Sequence, residues 1–541
     1  MFHHRTRALL LSAFAVVVAA RTASAQWNAN AALNTVIAAA ADDQTQAKVR
    51  NAAGGGTYIS WFDNRAGGYD PYLQRLDRNG NPQWAANGVL VRDRSVSSTE
   101  DYGLAIDASD NAVLIYETVN FSELAAQKVD SAGNLQWGAN GVVFATPGGS
   151  HNPKVAATSD GYYVVGWIEG LNIVLHKLDS AGVDQWGPGG VVLSDPPMPT
   201  SRAYQLCDIQ PGDAGSVIVN WARCTGSNCI TSNRHLYCQK LSPAGAPQWN
   251  AGSPRIIYDG GTLPVQAFPT FLPDGAGGAV FGWYESSGST LAYVQHVNSA
   301  GIELFAHNGT PVTVATAGRM RISAGLSYDP IADESFLVWS EVTVPTQNMW
   351  GVRAQRISSA GARMWGDEGV SIMPLNSNQS SFAQSVAYGG GCIAYWFDAR
   401  SVTTGVVLGS RLNAAGSAVW TPSNIEACSR DAGKGRLASI IDGCGMSKLA
   451  WSDGPSGGGQ DLYAQNVWPG GQLGPRSVIP GDVNCDFKVD ALDVPIFIAA
   501  LLDPASHAAI AICCNVSNAD VNGDTLINGD DCAGFVDALI P

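Results

Sequence analysis

Leu73-Gln74-Arg75-Leu76-Asp77-Arg78-Asn79-Gly80-Asn81-Pro82-Gln83-Trp84 decides the fold, because the chain repeats it. It returns as Ala126-Gln127-Lys128-Val129-Asp130 through Gln136-Trp137, as His176-Lys177-Leu178-Asp179 through Gln185-Trp186, and as Gln239-Lys240-Leu241 through Gln248-Trp249. Anchoring on the turn glycine gives eight copies, at Gly80, Gly133, Gly182, Gly245, Gly301, Gly361, Gly416 and Gly470. An aromatic follows four residues later in seven of them: Trp84, Trp137, Trp186, Trp249, Phe305, Trp365 and Trp420. A second aromatic series precedes each turn, at Trp61, Tyr116, Trp167, Trp221, Trp283, Trp339, Trp396 and Trp451. Its steps run from 51 residues (Tyr116 to Trp167) to 62 (Trp221 to Trp283).

Each copy reads as four short strands. In the third they are expected near 153–158, 162–168, 173–178 and 183–193, broken by Ser159-Asp160-Gly161, Gly170-Leu171-Asn172 and Ser180-Ala181-Gly182. The second strand mixes valine and aromatics with few polar residues, as a strand covered on both faces requires. A four-stranded unit of this size cannot bury its own faces, whereas packing such units radially as blades does so. The eighth copy ends at Gly470-Gly471-Gln472-Leu473 without its tryptophan, and the missing piece stands near the N-terminus as Gln26-Trp27-Asn28-Ala29-Asn30. The expectation is an all-β, eight-bladed β-propeller over 26–475, with an N-terminal strand completing the last blade so that no sheet edge stays open.

Residues 1–25 carry Arg5 and Arg7, an apolar run over 8–20, and Ala23-Ser24-Ala25. A basic start, a short hydrophobic stretch and a small-x-small site predict a secretory signal peptide cleaved before Gln26. No other segment reaches the ~20 apolar residues of a spanning helix. The net charge of −15 would become −18 once the three arginines of that segment are removed. Such a balance argues against a nucleic-acid partner, and export places the cysteines where disulfides persist.

Beyond 476–479, the end of a linker, the region 480–541 holds two related loops. Asp482-Val483-Asn484-Cys485-Asp486-Phe487-Lys488-Val489-Asp490-Ala491-Leu492-Asp493 is the first, and Asp520-Val521-Asn522-Gly523-Asp524-Thr525-Leu526-Ile527-Asn528-Gly529-Asp530-Asp531 the second. Both set oxygen side chains at positions 1, 3, 5, 9 and 12, the spacing that wraps a hard cation in oxygens. Each leads into a short helix with matched apolar residues, Phe497 and Leu501 in one, Phe535 and Leu539 in the other. Ten aspartates against one lysine from Pro480 onward repel one another until a cation arrives, so folding there should be coupled to calcium.

This duplicated loop-helix unit resembles the dockerin domain. The resemblance implies two calcium ions, held by Asp482, Asn484, Asp486, Lys488, Asp490 and Asp493 and by Asp520, Asn522, Asp524, Leu526, Asn528 and Asp531. Lys488 and Leu526 would offer backbone carbonyls only. It also implies a cohesin-like module as docking partner. Position 6, usually glycine, is Phe487 and Thr525 here, which predicts weaker or strained calcium binding.

Among eleven cysteines, Cys224–Cys229 and Cys207–Cys238 are the favoured pairs of the fourth repeat, with Cys392 expected as a buried thiol. An acid sits two residues past the strand aromatic in six copies, Asp63, Glu169, Glu285, Glu341, Asp398 and Asp453. Recurrence in so many blades points to a turn-holding role rather than to a glycosidase carboxylate pair; Arg65 and Arg400 are placed to pair with Asp63 and Asp398. His151, His176, His235, His296 and His307 have no ligand spacing, and no nucleophile or phosphate-loop motif occurs. The leading expectation is a secreted or surface-attached binding protein, its propeller recognising a glycan or protein and its tail docking in a calcium-dependent way. The alternatives are a polysaccharide-degrading enzyme, a glycoside hydrolase or lyase, and a structural cell-envelope protein; no catalytic residue is named.

Overall fold

The computed structural model describes residues 26–540 apart from 95, 119–120, 147–148, 194–201, 266–268, 287–289, 402, 455–458, 477–478, 486–487, 504–512 and 515. The expected signal peptide, 1–25, lies outside the described residues. Among the described residues thirty-two strands form eight four-stranded antiparallel sheets, seven of them meanders in chain order. Blade 1, for example, runs Gln44–Asn51, Thr57–Asp63, Asp70–Leu76 and Val89–Leu90. The chain is an eight-bladed β-propeller.

Blade 8 is split as expected. Gly433–Ile441, Ser447–Gly454 and Asp461–Val467 receive Thr35–Ala38 as their outer strand, with Thr35 opposite Ala464 and Val36 opposite Tyr463. The expected strands of blade 3 also form, at Ser150–Ala157, Tyr163–Glu169 and Asn172–Leu178. The fourth is shorter than expected, Val191–Leu193, because most of 183–190 is taken up by bends that carry Trp186 toward the neighbouring blade.

That crossing explains the glycine–tryptophan repeat. The indole Nε1 of each turn tryptophan donates to a carbonyl in the turn of the next blade: Trp84 to Ser131 (3.1 Å), Trp137 to Ser180 (3.2 Å), Trp186 to Pro243 (3.2 Å), Trp249 to Ser299 (2.9 Å), Trp365 to Ala414 (3.0 Å) and Trp420 to Pro469 (2.7 Å). Trp27 completes the circle on Arg78 of blade 1, at 2.8 Å. Phe305 has no N–H to give, and there Thr310 Oγ1 donates to Gly361 O at 3.0 Å instead. Each turn glycine lies against the aromatic of the preceding blade with φ between +77° and +90°, and a Cβ there would come within 3.2 Å of that ring. Glycine is required twice over, by the backbone and by the ring. In the eighth copy the residue that meets these conditions is Gly471, not Gly470: the turn runs Trp468-Pro469-Gly470-Gly471, matching Asp77-Arg78-Asn79-Gly80, and Gly471 N–H bonds to Trp468 O at 2.8 Å as Gly80 N–H bonds to Asp77 O at 3.0 Å.

A buried glutamine on the third strand fixes five of the crossings, while in blade 3 Trp186 N–H goes to Asp184 Oδ1 at 3.0 Å. Gln74, Gln127, Gln239, Gln295 and Gln355 accept the backbone N–H of Trp84, Trp137, Trp249, Phe305 and Trp365 at 2.9–3.2 Å. An amide buried between sheets needs such partners. The second-strand aromatics, Trp61 through Trp451, fill the spaces between blades with almost no exposure.

The meander order puts the first and third hairpins of every blade, including the glycine turns, on one end of the propeller. The second hairpins and the blade-to-blade connections fall on the other.

Among the described residues the C-terminal region has two α-helices, α1 (Val494–Leu502) and α2 (Asp531–Leu539). Phe497 and Phe535 stack between them with ring centroids 3.9 Å apart, over a small core that includes Val483, Ala500 and Ala519, with Leu501 and Leu539 at its edge. Cys485–Cys514 closes the region internally, and Cys444–Cys513 ties it to the first hairpin of blade 8. Arg476 lies over the Trp468 ring at 5.0 Å.

Cys224–Cys229 is bonded as expected, and Cys392 is a buried thiol. Cys207–Cys238 is not a bond; both are free and buried. They sit on the first and third strands of blade 4, with Val217–Cys224 between them. Two strand spacings of about 4.8 Å exceed the Cα separation of about 7 Å that a disulfide tolerates.

Candidate functional site

The first strands of the blades line a central channel, and five of them carry a bulge with left-handed backbone. Gln46, Asn152, Ser323, Phe382 and Arg436 all take positive φ, 58°, 55°, 53°, 52° and 37°, each beside a register shift against the second strand. Left-handed backbone at non-glycine residues costs about 1–3 kcal/mol each, and bulges re-aim side chains beside functional sites. A cavity of about 440 Å³ is bounded by Ser323, Phe382 and Arg436 with Trp283 and Tyr284. A second, of about 610 Å³, is lined by the first strands of blades 1, 4, 5, 6, 7 and 8, including Arg50, Asp208, Gln210, Tyr328 and Gln384.

Beside these, Asp101 bridges two lysines, accepting from Lys48 Nζ at 2.6 Å and Lys154 Nζ at 2.7 Å. Burial alone would raise the Asp101 carboxyl, but Lys154 and Lys48 outweigh it and hold it well below the usual carboxylate range. Burial pushes Asp208 the other way, upward, against Arg50 and Lys154. Sequence reasoning missed this channel chemistry. Its signal is the residue type that breaks the repeat, since lysine at 48 and 154 and aspartate at 101 recur in no other blade's pattern.

Among the recurrent acids, Asp63 closes its turn as expected, and Glu169 and Asp453 are engaged by neighbouring side chains. Asp63 accepts from Trp61 Nε1 at 2.9 Å and from Arg65 Nε at 2.8 Å; Glu169 accepts from Trp167 Nε1 at 3.1 Å. Asp453 takes Arg430 Nε and Lys434 Nζ, both at 3.0 Å. Arg400 departs from expectation and faces Asp431 at 3.9 Å, because Asp398 is engaged by Asn378 Nδ2 at 2.9 Å. The histidines are spread around the ring: His176 on Asp184 at 2.8 Å, His296 on Asp274 at 3.2 Å, His307 on Asp259 at 3.2 Å, and His151 facing Glu100 at 3.5 Å.

In the C-terminal region the two loops share one internal geometry. The position-12 carboxylates, Asp493 and Asp531, are fully buried at the head of α1 and α2. Asp493 accepts from the N–H of Asn484 and Asp490, both at 2.9 Å; Asp531 accepts from Val521 at 2.8 Å, Asn522 at 3.1 Å and Asn528 at 2.9 Å. Asp520 accepts from Gly523, Asp524 and Thr525 N–H at 2.9–3.0 Å. Each carboxylate oxygen keeps lone pairs beyond these bonds. An all-oxygen set around two buried carboxylates fits a hard cation such as calcium. Thr525, at the position usually given to glycine, adopts φ of +73°, so its strain is real. Asp486 and Phe487 lie outside the described residues.

Residues 480–534 match the Dockerin type I domain. The chain is therefore an eight-bladed β-propeller followed by a dockerin type I domain. Comparison with curated proteins finds no match. Among solved structures the chain is similar to a polysaccharide lyase of family PL25, an ulvan lyase (12% identity, TM-score 0.40, covering 83% of this chain and 96% of that one). It is also similar to a protein of unknown function from Dyadobacter fermentans DSM 18053 (11%, TM-score 0.38, 82% and 97%) and to prolyl endopeptidases (10%, TM-score 0.42, 77% and 55%). At these values the likenesses carry no functional argument.

Proposed function

We propose that the chain is an exported binding protein with two working ends: a propeller whose central channel holds a glycan or protein ligand, and a tail that docks on a cohesin-like module when loaded with two calcium ions. The observation that carries the first half is the channel. Its bulged first strands place arginine, aromatic and amide side chains around an open cavity, the composition of a ligand site, while Asp63, Glu169, Asp398 and Asp453 are engaged by neighbouring side chains. The calcium ligands are Asp482, Asn484, Asp486, Asp490 and Asp493 with the Lys488 carbonyl, and Asp520, Asn522, Asp524, Asn528 and Asp531 with the Leu526 carbonyl. The docking face is apolar and duplicated: Ile498 and Leu502 on α1 are exposed, and Val536 and Ile540 stand in the matching places at α2. The propeller is assigned to 26–475 and the docking domain to 480–541. No helix among the described residues is long and apolar enough to cross a membrane, and attachment would come through the tail.

Retention and reducing-end release on a panel of polysaccharides, with calcium-loaded protein, test the channel. Retention without release is expected, and Arg436→Ala should abolish it. Release by the wild type would replace this reading with the polysaccharide-degrading alternative, and neither release nor retention would exclude a polysaccharide ligand.

A further inference from the structure

Where blades 2 and 3 meet, on the end carrying the second hairpins, three side chains converge that neither the repeat nor the docking domain uses. Glu117 ends the second strand of blade 2 (Ala112–Thr118), His151 opens the first strand of blade 3 (Ser150–Ala157), and Glu100 lies on the connection leading into blade 2. One ligand atom from each falls within 4.8 Å of the others. Glu117 is 2% exposed, and neither of its carboxylate oxygens closes a hydrogen bond of normal geometry. An uncompensated buried carboxylate is costly, so its persistence calls for a partner. Burial, and then the adjacent Glu100 carboxylate, push the Glu117 carboxyl up to about 8, against His151, Arg94 and the Asn152 N–H. Arg94 feels that charge but turns its guanidinium to Ser98 O at 3.0 Å and over the Phe62 ring.

The remaining geometry suits a metal. His151 and Glu100 are 52% and 36% exposed in their side chains, so both can swing to close on a common ion, while Glu117 is fixed from beneath. Asn152 immediately after His151 is one of the strained bulge residues, φ 55°, and the bulge sets the imidazole on the channel rim. Phe121 packs against that imidazole at 5.8 Å.

We propose that Glu100, Glu117 and His151 form a site for one divalent cation of the zinc class, separate from the calcium loops. One imidazole and two carboxylates are a donor set for zinc or its first-row neighbours. Calcium takes six to eight oxygens and has no use for the imidazole. Three protein ligands leave a coordination position facing solvent, beside the Lys48–Asp101–Lys154 bridge, where a ligand oxygen in the channel mouth could complete it.

The test is calorimetric titration of Zn²⁺ into the full chain with calcium in excess, so that the docking loops are filled. One zinc per chain is expected, with affinity falling at least about 100-fold in both Glu117→Gln and His151→Ala, given that even outer partners of a metal site cost 10–100-fold. His151 is half exposed, so His151→Ala keeps the fold; zinc should raise the melting temperature of the wild type and leave that of His151→Ala unchanged. No zinc uptake under excess calcium would overturn the proposal. So would uptake that both variants retain, or uptake that is lost on Asp493→Asn/Asp531→Asn substitution of the loops.

Discussion

Trp27 Nε1 donates to the carbonyl oxygen of Arg78 at 2.8 Å, and this is the indole bond between the last blade and the first. Six other tryptophans make the same bond to the next blade along the chain; only Trp27 reaches its partner from the N-terminal end of a split blade. Trp27 also donates its backbone N–H to Asn79 O at 2.9 Å and is buried. Trp27 shares ring closure with the short strand Thr35–Ala38 and with further bonds between blades 8 and 1, among them Asn51 Nδ2 to Ile441 O at 2.8 Å and Lys448 Nζ to Gly55 O at 2.9 Å.

Trp27→Ala should cost about 3–5 kcal/mol, the usual loss for a buried aromatic truncated to alanine. Guanidinium unfolding followed by tryptophan fluorescence measures it. A loss below about 1 kcal/mol would mean that the strand and the remaining bonds between blades 8 and 1 close the ring without it.

Gly80→Ala meets the same contact from the other side. The new Cβ would stand 2.7 Å from Trp27 Cδ2 and N, at φ of +84°, so both sterics and backbone oppose it. Gly54→Ala is the control: φ is +67° but nothing lies within 4 Å. The first variant should melt well below the second, and equal melting temperatures would remove the ring contact as the reason for the repeated glycine.

Five cysteines are free: Cys207, Cys238, Cys392, Cys428 and Cys532, of which only Cys532 is exposed. Burial pushes the Cys207 and Cys392 thiols up to about 12, so neither is a thiolate at neutral pH. Native alkylation should label one cysteine per chain, and alkylation in denaturant without reductant should label five. Mass spectrometry of the labelled peptides distinguishes these counts.

The Cys444–Cys513 bond, spanning 69 residues, fixes the docking domain to blade 8. Replacing both cysteines by serine should lower the stability of that attachment by about 2–4 kcal/mol and expose the segment around 476–479 to proteolysis while the propeller core stays resistant. Unchanged cleavage would mean that the Arg476 contacts hold the domain in place by themselves.

What could be read from the sequence was whatever the backbone itself demands. Glycine at positive φ, Asx residues closing the turns (Asp130, Asp179 and Asn298 accept two loop N–H groups each) and the tryptophan that crosses to the next blade cannot vary freely, so they repeat. Blade count, the split blade and the C-terminal loops followed from them. The channel did not, because the innermost strands face a cavity and not a neighbouring sheet. Their residues are free to differ even where the backbone repeats: the bulges at Gln46 and Asn152 occupy one blade position, just ahead of Lys48 opposite Ser60 and of Lys154 opposite Gly166, yet carry different side chains. Cysteine pairing also failed for Cys207 and Cys238, since spacing in sequence does not tell which strand lies between two others. The eighth glycine was misplaced by one residue for a related reason: with Gly470 and Gly471 adjacent, only the Trp420 contact distinguishes them.

The central claim, calcium-dependent docking by the tail of a ligand-binding propeller, is tested most directly by passing the full chain over an immobilised type I cohesin in calcium and again in chelator. Retention in calcium, release on chelation, and loss of retention in Asp493→Asn/Asp531→Asn are the predicted results. Failure to bind in calcium, or retention that survives both chelation and the double substitution, would contradict the account.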